Sequence, residues 1–158
     1  PKVTFFDAGL GASNGCDVVI HSEEAISPPD DFKDEQYYVH NHQIDHNLVI
    51  TGERKFVLIN PEWDKPHHVI YLNRSMGALE IPIGTYHRSI SGKEGSIVLN
   101  QPIRDKFFDP AKEFIPQKLD TISLIKARKT PPVYWVWEND QIKRVFFNPL
   151  ERKVKSLA

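Results

Sequence analysis

An all-β fold, a sandwich or jelly roll, is what three features of this 158-residue chain predict. Short runs rich in Val, Ile, Phe, Tyr and Thr recur at even spacing, each bounded by Gly, Asn, Asp or Pro. The twelve prolines are above the ordinary share of about 5% of residues, and nine of them recur from Pro61 to Pro149, where they leave little room for long helices. The length is that of one domain, so a single fold spanning 1–158 is expected to carry the function, with a barrel core at about 34–104 and a C-terminal extension at about 105–158.

Taken in order, residues 3–6 and 17–20 read as two strands joined by a glycine-rich turn from Gly9 to Gly15. The glycines there are spaced G-x-G-x-x-x-G and no helical pattern follows, which excludes a Rossmann phosphate loop. Residues 22–33, with Pro28-Pro29-Asp30-Asp31, read as a polar loop. Candidate strands follow at 36–42, 46–51, 55–60, 67–72, 78–81, 85–91 and 96–101, and Thr51-Gly52-Glu53-Arg54 is one of the turn signals between them. Asp109 is placed to cap a short helix with Pro110 at its first position. Residues 119–126 fit a helix or a strand. The aromatic runs 133–137 and 142–147 flank Glu138-Asn139-Asp140-Gln141 as a C-terminal β-hairpin, whose expected role is packing in the sheet or on a second subunit.

Lys and Arg number 20 against 21 Asp and Glu, a net charge of −1, so the chain lacks the basic footprint of a nucleic-acid or anionic-membrane binder. Its longest apolar runs, such as 56–59 and 96–99, fall far short of the roughly 18 residues of a membrane helix. No positive region followed by an apolar stretch opens the sequence, and a cytoplasmic location is the resulting expectation. The single cysteine, Cys16, cannot form an internal disulfide and beside Val18, Val19 and Ile20 is expected to be a partly buried small side chain. Trp63, Trp135 and Trp137 are expected in the core or at a subunit contact, Arg74 on the surface, and His67 and His68 at a strand edge.

Chemistry concentrates in the histidines. His40, His42 and His46 fall within seven residues, and His87 follows a Pro82-x-Gly84 turn. Side chains alternate along a strand, so 40, 42 and 46 share one face if the strand is regular. Three neutral imidazoles on one face, with His87 brought beside them, make a nitrogen-rich site for a first-row divalent metal. On the same parity Asp45 points to the opposite side from His46.

The pattern His40-x-His42, three residues, His46, five residues, Gly52, followed by Pro82-x-Gly84-x-x-His87, resembles the two signature motifs of the cupin superfamily. The first motif departs from the family's usual form: His46 stands in place of a glutamate, and the interval to Gly52 is one residue short. The resemblance covers about residues 34–104 and implies a cupin-type double-stranded β-helix, with His40, His42, His46 and His87 in the four metal-ligand positions. An all-nitrogen set of this kind suits Fe, Ni, Cu or Zn. A narrower likeness, from Leu72-Asn73-Arg74 through Gly77-Ala78-Leu79-Glu80-Ile81-Pro82 and the His87 strand to Asn100, is to the sugar-nucleotide ketoisomerases and epimerases of deoxysugar pathways. That likeness implies metal-free proton transfer beside a sugar carbonyl, with His42 or His40 as base, Tyr86 or Tyr38 as proton donor, and Arg74 or Arg88 on a phosphate.

The leading expectation is thus a cupin metalloprotein acting on a small molecule, with His42 and Tyr86 as candidate catalytic residues. A metal-free isomerase or epimerase and a non-catalytic small-molecule binder are the alternatives. Self-association as a homodimer is expected, because the aromatic C-terminal hairpin offers an edge to pair and closed two-fold dimers are the commonest oligomers.

Overall fold

The order of the strands follows from one long strand that both sheets share. In this computed structural model, which describes residues 2–5 and 7–151, β3 runs unbroken from Gln43–Ile59. Its first part pairs with β5 (Ala78–Ile81) and β7 (Ser96–Asn100), and its last part with β4 (His67–Asn73) and β6 (Tyr86–Ser91), all antiparallel. Between the parts lie a register shift at Val49/Thr51 and Gly52 at φ 79°. A side chain at Gly52 is excluded twice over, by that left-handed backbone and by the Gly95 carbonyl, which would lie 2.6 Å from its Cβ. Thr51 to Arg54, with the composition of a turn, is therefore a bend inside a strand, produced by a bulge and a glycine.

One sheet is completed by β1 (Asp17–His21), antiparallel to β7. The other gains β2 (Ala25–Ser27) beside β6, while the hairpin of β9 (Val133–Glu138) and β10 (Gln141–Val145) joins it by a parallel pairing of β9 with β4. A short β8 (Ile103–Arg104) pairs with the start of β3. The all-β jelly-roll expectation holds, with the C-terminal hairpin in place; the helical parts of the described residues are α1 (Pro110–Glu113), α2 (Ile122–Lys129), one 3-10 turn at Arg74–Met76 and residues 149–151. Among the described residues no helix is long and apolar enough to cross a membrane.

Two apolar clusters hold the second sheet, one on each face. Val49, Phe56, Leu58, Ile70, Leu72, Ile81 and Val98 fill the space between the sheets. Tyr37, Val57, Ile59 and Val69 pack outside against Leu124 and Ala127 of α2, which the Thr121 hydroxyl caps by accepting from the Leu124 N–H.

Several local expectations are corrected. Residues 2–5 form no strand, and Phe6 lies outside the described residues. Residues 36–42 are not a strand: Tyr37 and Tyr38 make only single bridges, to Gln117 and His87. The ambiguous 119–126 stretch becomes helix from Ile122 onward. Cys16 is exposed, because it precedes β1 instead of lying in it. His67 is buried, its Nδ1–H donating to the Thr130 carbonyl at 2.8 Å across the end of α2.

Candidate functional site

Three buried side chains from three parts of the chain meet at one end of the space between the sheets. Asp45 comes from β3, where residues 43, 45, 47 and 49 are buried and face inward. His87 comes from β6, opposite Leu58 of β3. His40 arrives from the segment before β3, which the Tyr38–His87 bridge and a Gly84 N–H to His40 carbonyl bond of 2.9 Å hold alongside β6. The His40 and His87 rings lie 5.0 Å apart, and the Nε2 of each is 3.4 Å from the same oxygen, Asp45 Oδ2.

The other ring nitrogens fix the tautomers. His40 Nδ1 lies 3.1 Å from the carbonyl of Glu113, and His87 Nδ1 lies 3.0 Å from the carbonyl of Thr85. A carbonyl only accepts, so both Nδ1 atoms carry a proton and both Nε2 atoms turn toward the carboxylate, donating to it when the ring is protonated and presenting a lone pair when it is neutral. The Glu113 end of this arrangement depends on α1: Asp109 caps it by accepting from the Ala111 N–H at 3.0 Å, and Pro110 opens it, as the sequence predicts. Glu113 also accepts the Asn41 N–H on its carboxylate at 3.0 Å, which pins the segment that bears His40.

Asp45 is oriented from the opposite side. Its Oδ1 accepts from the side-chain amides of Gln43 and Asn100, leaving Oδ2 to face the imidazoles. Burial pushes its carboxyl up, but the His40 hydrogen bond, the charges of His87 and His40 and the Gln43 amide outweigh this and hold it at about 2. Burial likewise drives His87 below the ordinary imidazole range, opposed by the Asp45 charge. Tyr38 stands over the pair, its ring 6.4 Å from His40 and 6.3 Å from His87, with its phenol raised by burial and so kept neutral. Phe114 meets the His40 ring edge-on at 5.4 Å. A cavity of about 360 Å³ opens from this group between the sheets, toward Ser89, Phe56 and Arg54.

Of the four histidines expected as ligands, the structure brings His40 and His87 together and does not bring His42 or His46 to them. His42 precedes β3 and turns outward to Asp105, Nδ1 to Oδ2 at 2.9 Å. His46 lies on β3 but on its other face, where Nε2 meets Glu80 at 3.0 Å and Nδ1 is buried without a hydrogen bond. The shared parity of 40, 42 and 46 required a regular strand through all three, and the strand begins only at Gln43. Tyr86, expected beside His42, points away with the outer cluster around Tyr37 and Ile59. Arg88 is engaged by Asp30 and Glu35, each at 2.8 Å, and Arg74 lies at the exposed 3-10 turn. Asp45 is a site residue that the histidine pattern does not single out; its expected parity holds, since it faces away from His46, and His46 is the one outside. Counting back in twos from the buried Val49 reaches Asn47, Asp45 and Gln43, but the continuous apolar run Leu48-Val49-Ile50 leaves that parity unmarked in the sequence.

No protein-family model matches the chain, and no curated protein matches it. Among solved structures it is similar to the capsular polysaccharide assembling protein CapF from Staphylococcus aureus, with TM-scores of 0.46 and 0.47 in two structures, each at 15% identity over 65% of this chain. A structure of CapF with the inhibitor 3-isopropenyl-tropolone gives a TM-score of 0.45 at 17% identity over 63% of this chain. The chain spans about a quarter of the length of these proteins, 25% to 27% of each.

Proposed function

We propose that this protein binds one divalent transition metal through His40, Asp45 and His87 and acts on a small molecule in the adjoining cavity. The observation that carries the reading is the meeting of two Nε2 atoms, each turned inward by a carbonyl behind it, on a single carboxylate oxygen at 3.4 Å. Neutral imidazoles would point lone pairs at an anion there, an arrangement that a shared cation relieves. The three donor atoms lie within 4.8 Å of one another, and the 3.4 Å separations suit donors sharing an ion at bond lengths of about 2.0–2.2 Å. Two nitrogens and one oxygen suit Fe, Ni, Cu or Zn. Such an ion would supply Lewis-acid polarisation of a substrate oxygen.

The chain's own residues have separable parts. Gln43 and Asn100 hold the carboxylate, Glu113 and Thr85 hold the imidazoles, and Phe114 packs edge-on against the His40 ring. Tyr38 holds a phenolic proton beside both rings. Protein purified without an affinity tag is expected to carry near-stoichiometric metal by elemental analysis, and the His40→Ala, His87→Ala double variant to lose it. Wild-type protein that neither carries nor takes up metal while folded overturns the reading.

The contacts of Asp45 with both imidazoles and the nearby Tyr38 also favour a second reading. Without metal, His40 or His87 would serve as a general base beside a sugar carbonyl, with Tyr38 as donor. Deuterium entering a nucleotide-linked keto sugar from solvent with chelator present selects this reading. Stabilisation by such a ligand without exchange selects a non-catalytic binder.

A further inference from the structure

The same cavity holds a charge that the metal reading leaves unused. Arg54 of β3 is 2% exposed, yet no carboxylate of the described residues lies within ion-pair distance of it. Arg88, also buried, contrasts with it in having two acidic partners at 2.8 Å. Burying a cation without a counter-ion is costly unless something compensates it. The protein compensates Arg54 only in part. Its Nε–H donates to the Ser96 hydroxyl at 2.7 Å, and Nη2 donates to the carbonyls of Ser96 and Val19 at 3.0 and 3.2 Å. A guanidinium has five N–H donors, so the two on Nη1 have no acceptor among these bonds.

Placement argues that this is a site and not only a brace. Arg54 lines the cavity that also holds His40, Asp45 and His87. It lies four residues along β3 from Leu58, the residue opposite His87, a span of about 13 Å at strand rise. Gly52, at positive φ, lets β3 close on the Gly95–Ser96 backbone at the start of β7, and Gly95 in turn lies tight against the His21 backbone at the end of β1, so that Ser96 stands at the Arg54 Nε. The neighbouring His21 adds no charge to it near neutral pH, because burial and the Arg54 charge hold that imidazole at about 4, with its Nδ1 2.7 Å from the Ser91 hydroxyl.

We infer that Arg54 is the anchor for an anionic group, a carboxylate or a phosphate, on the small molecule this cavity takes, held at the far end from His40, Asp45 and His87. The inference extends the proposed function to its substrate class and rests on the same cavity. Its chemistry is that of a guanidinium fork, two of whose N–H groups are free to meet an oxyanion.

Inorganic phosphate and malonate, each titrated into chelator-treated protein, test the anchor apart from any metal. Loss of metal binding then bears on the centre alone, and loss of anion binding on Arg54 alone. Thermal stabilisation and shifts of the Arg54 Nε–H resonance in arginine-labelled protein are the readouts. Response to phosphate alone assigns a phosphoryl group, response to malonate alone a carboxylate, and response to both a general anion site, each supporting the inference. Affinity is expected to fall about 10- to 100-fold in Arg54→Gln and less in Arg54→Lys. Should Arg54→Gln fail to fold, the resonance shifts in the wild type decide the matter. No binding of either probe in the wild type, or equal binding by a folded Arg54→Gln, overturns it.

Discussion

Two cavities of nearly equal size lie against the second sheet, and only one of them is equipped for chemistry. The apolar one, about 340 Å³, is lined by Trp63, Ile70, Leu72, Met76 and Trp135 and contains a single histidine, His68. Both His68 nitrogens are already used: Nε2 lies 2.7 Å from the Lys65 carbonyl, and Nδ1 accepts from Trp135 Nε1 at 3.0 Å. In the polar cavity, of about 360 Å³, His40 and His87 each spend one nitrogen on a carbonyl and turn the other to Asp45. A histidine's function is thus decided by which of its nitrogens the backbone leaves over, and not by burial.

The sharpest break in this contrast is expected from Asp45→Asn. The variant keeps the shape of the side chain and removes its charge, and metal affinity by competition with a chromophoric chelator should fall about 100-fold or more. Unchanged affinity would dissociate Asp45 from the centre. Trp135→Ala strikes the other cavity: unfolding in urea should show a loss of about 3 kcal/mol, with metal content untouched. A shift in metal content would mean that the two cavities are coupled.

Acid should act on the polar side first. An unfolded chain takes up a proton on His21 below about 6.5, whereas the folded chain resists until about 4, because burial and the Arg54 charge disfavour the imidazolium. Stability contributed by neutral His21 is therefore complete above 6.5 and lost as the pH falls toward 4. Urea midpoints followed across that range should slope less in His21→Gln than in the wild type. The smallest effect is expected from His46→Ala, whose partner Glu80 is exposed: under about 1 kcal/mol and no change in bound metal. Metal loss in that variant would restore the four-histidine expectation.

How far the sequence could be read follows from which features are local. Strands bounded by Pro and Gly, the Asp109 cap and the C-terminal hairpin depend on neighbouring residues, and they lie where the pattern puts them. The site depends on where a strand begins, and the polar run from His40 to Asp45 has no apolar alternation to mark that point. Glu113, which supports His40 through its carbonyl, is 73 residues distant and follows no spacing rule. Around Arg54 the sequence has a turn's composition because of Gly52, whose φ of 79° instead serves the bend of β3 beside its register shift. His87 was found because its Pro-x-Gly approach is itself a local signal.

The unbroken course of β3 has a consequence for how the molecule comes apart. Since the first part of that strand is the middle of one sheet and the last part the middle of the other, neither sheet can unzip while its neighbour stays intact. Amides on both sides of Gly52 should then exchange with deuterated solvent through one shared opening event, as a single cooperative unit with the highest protection in the chain.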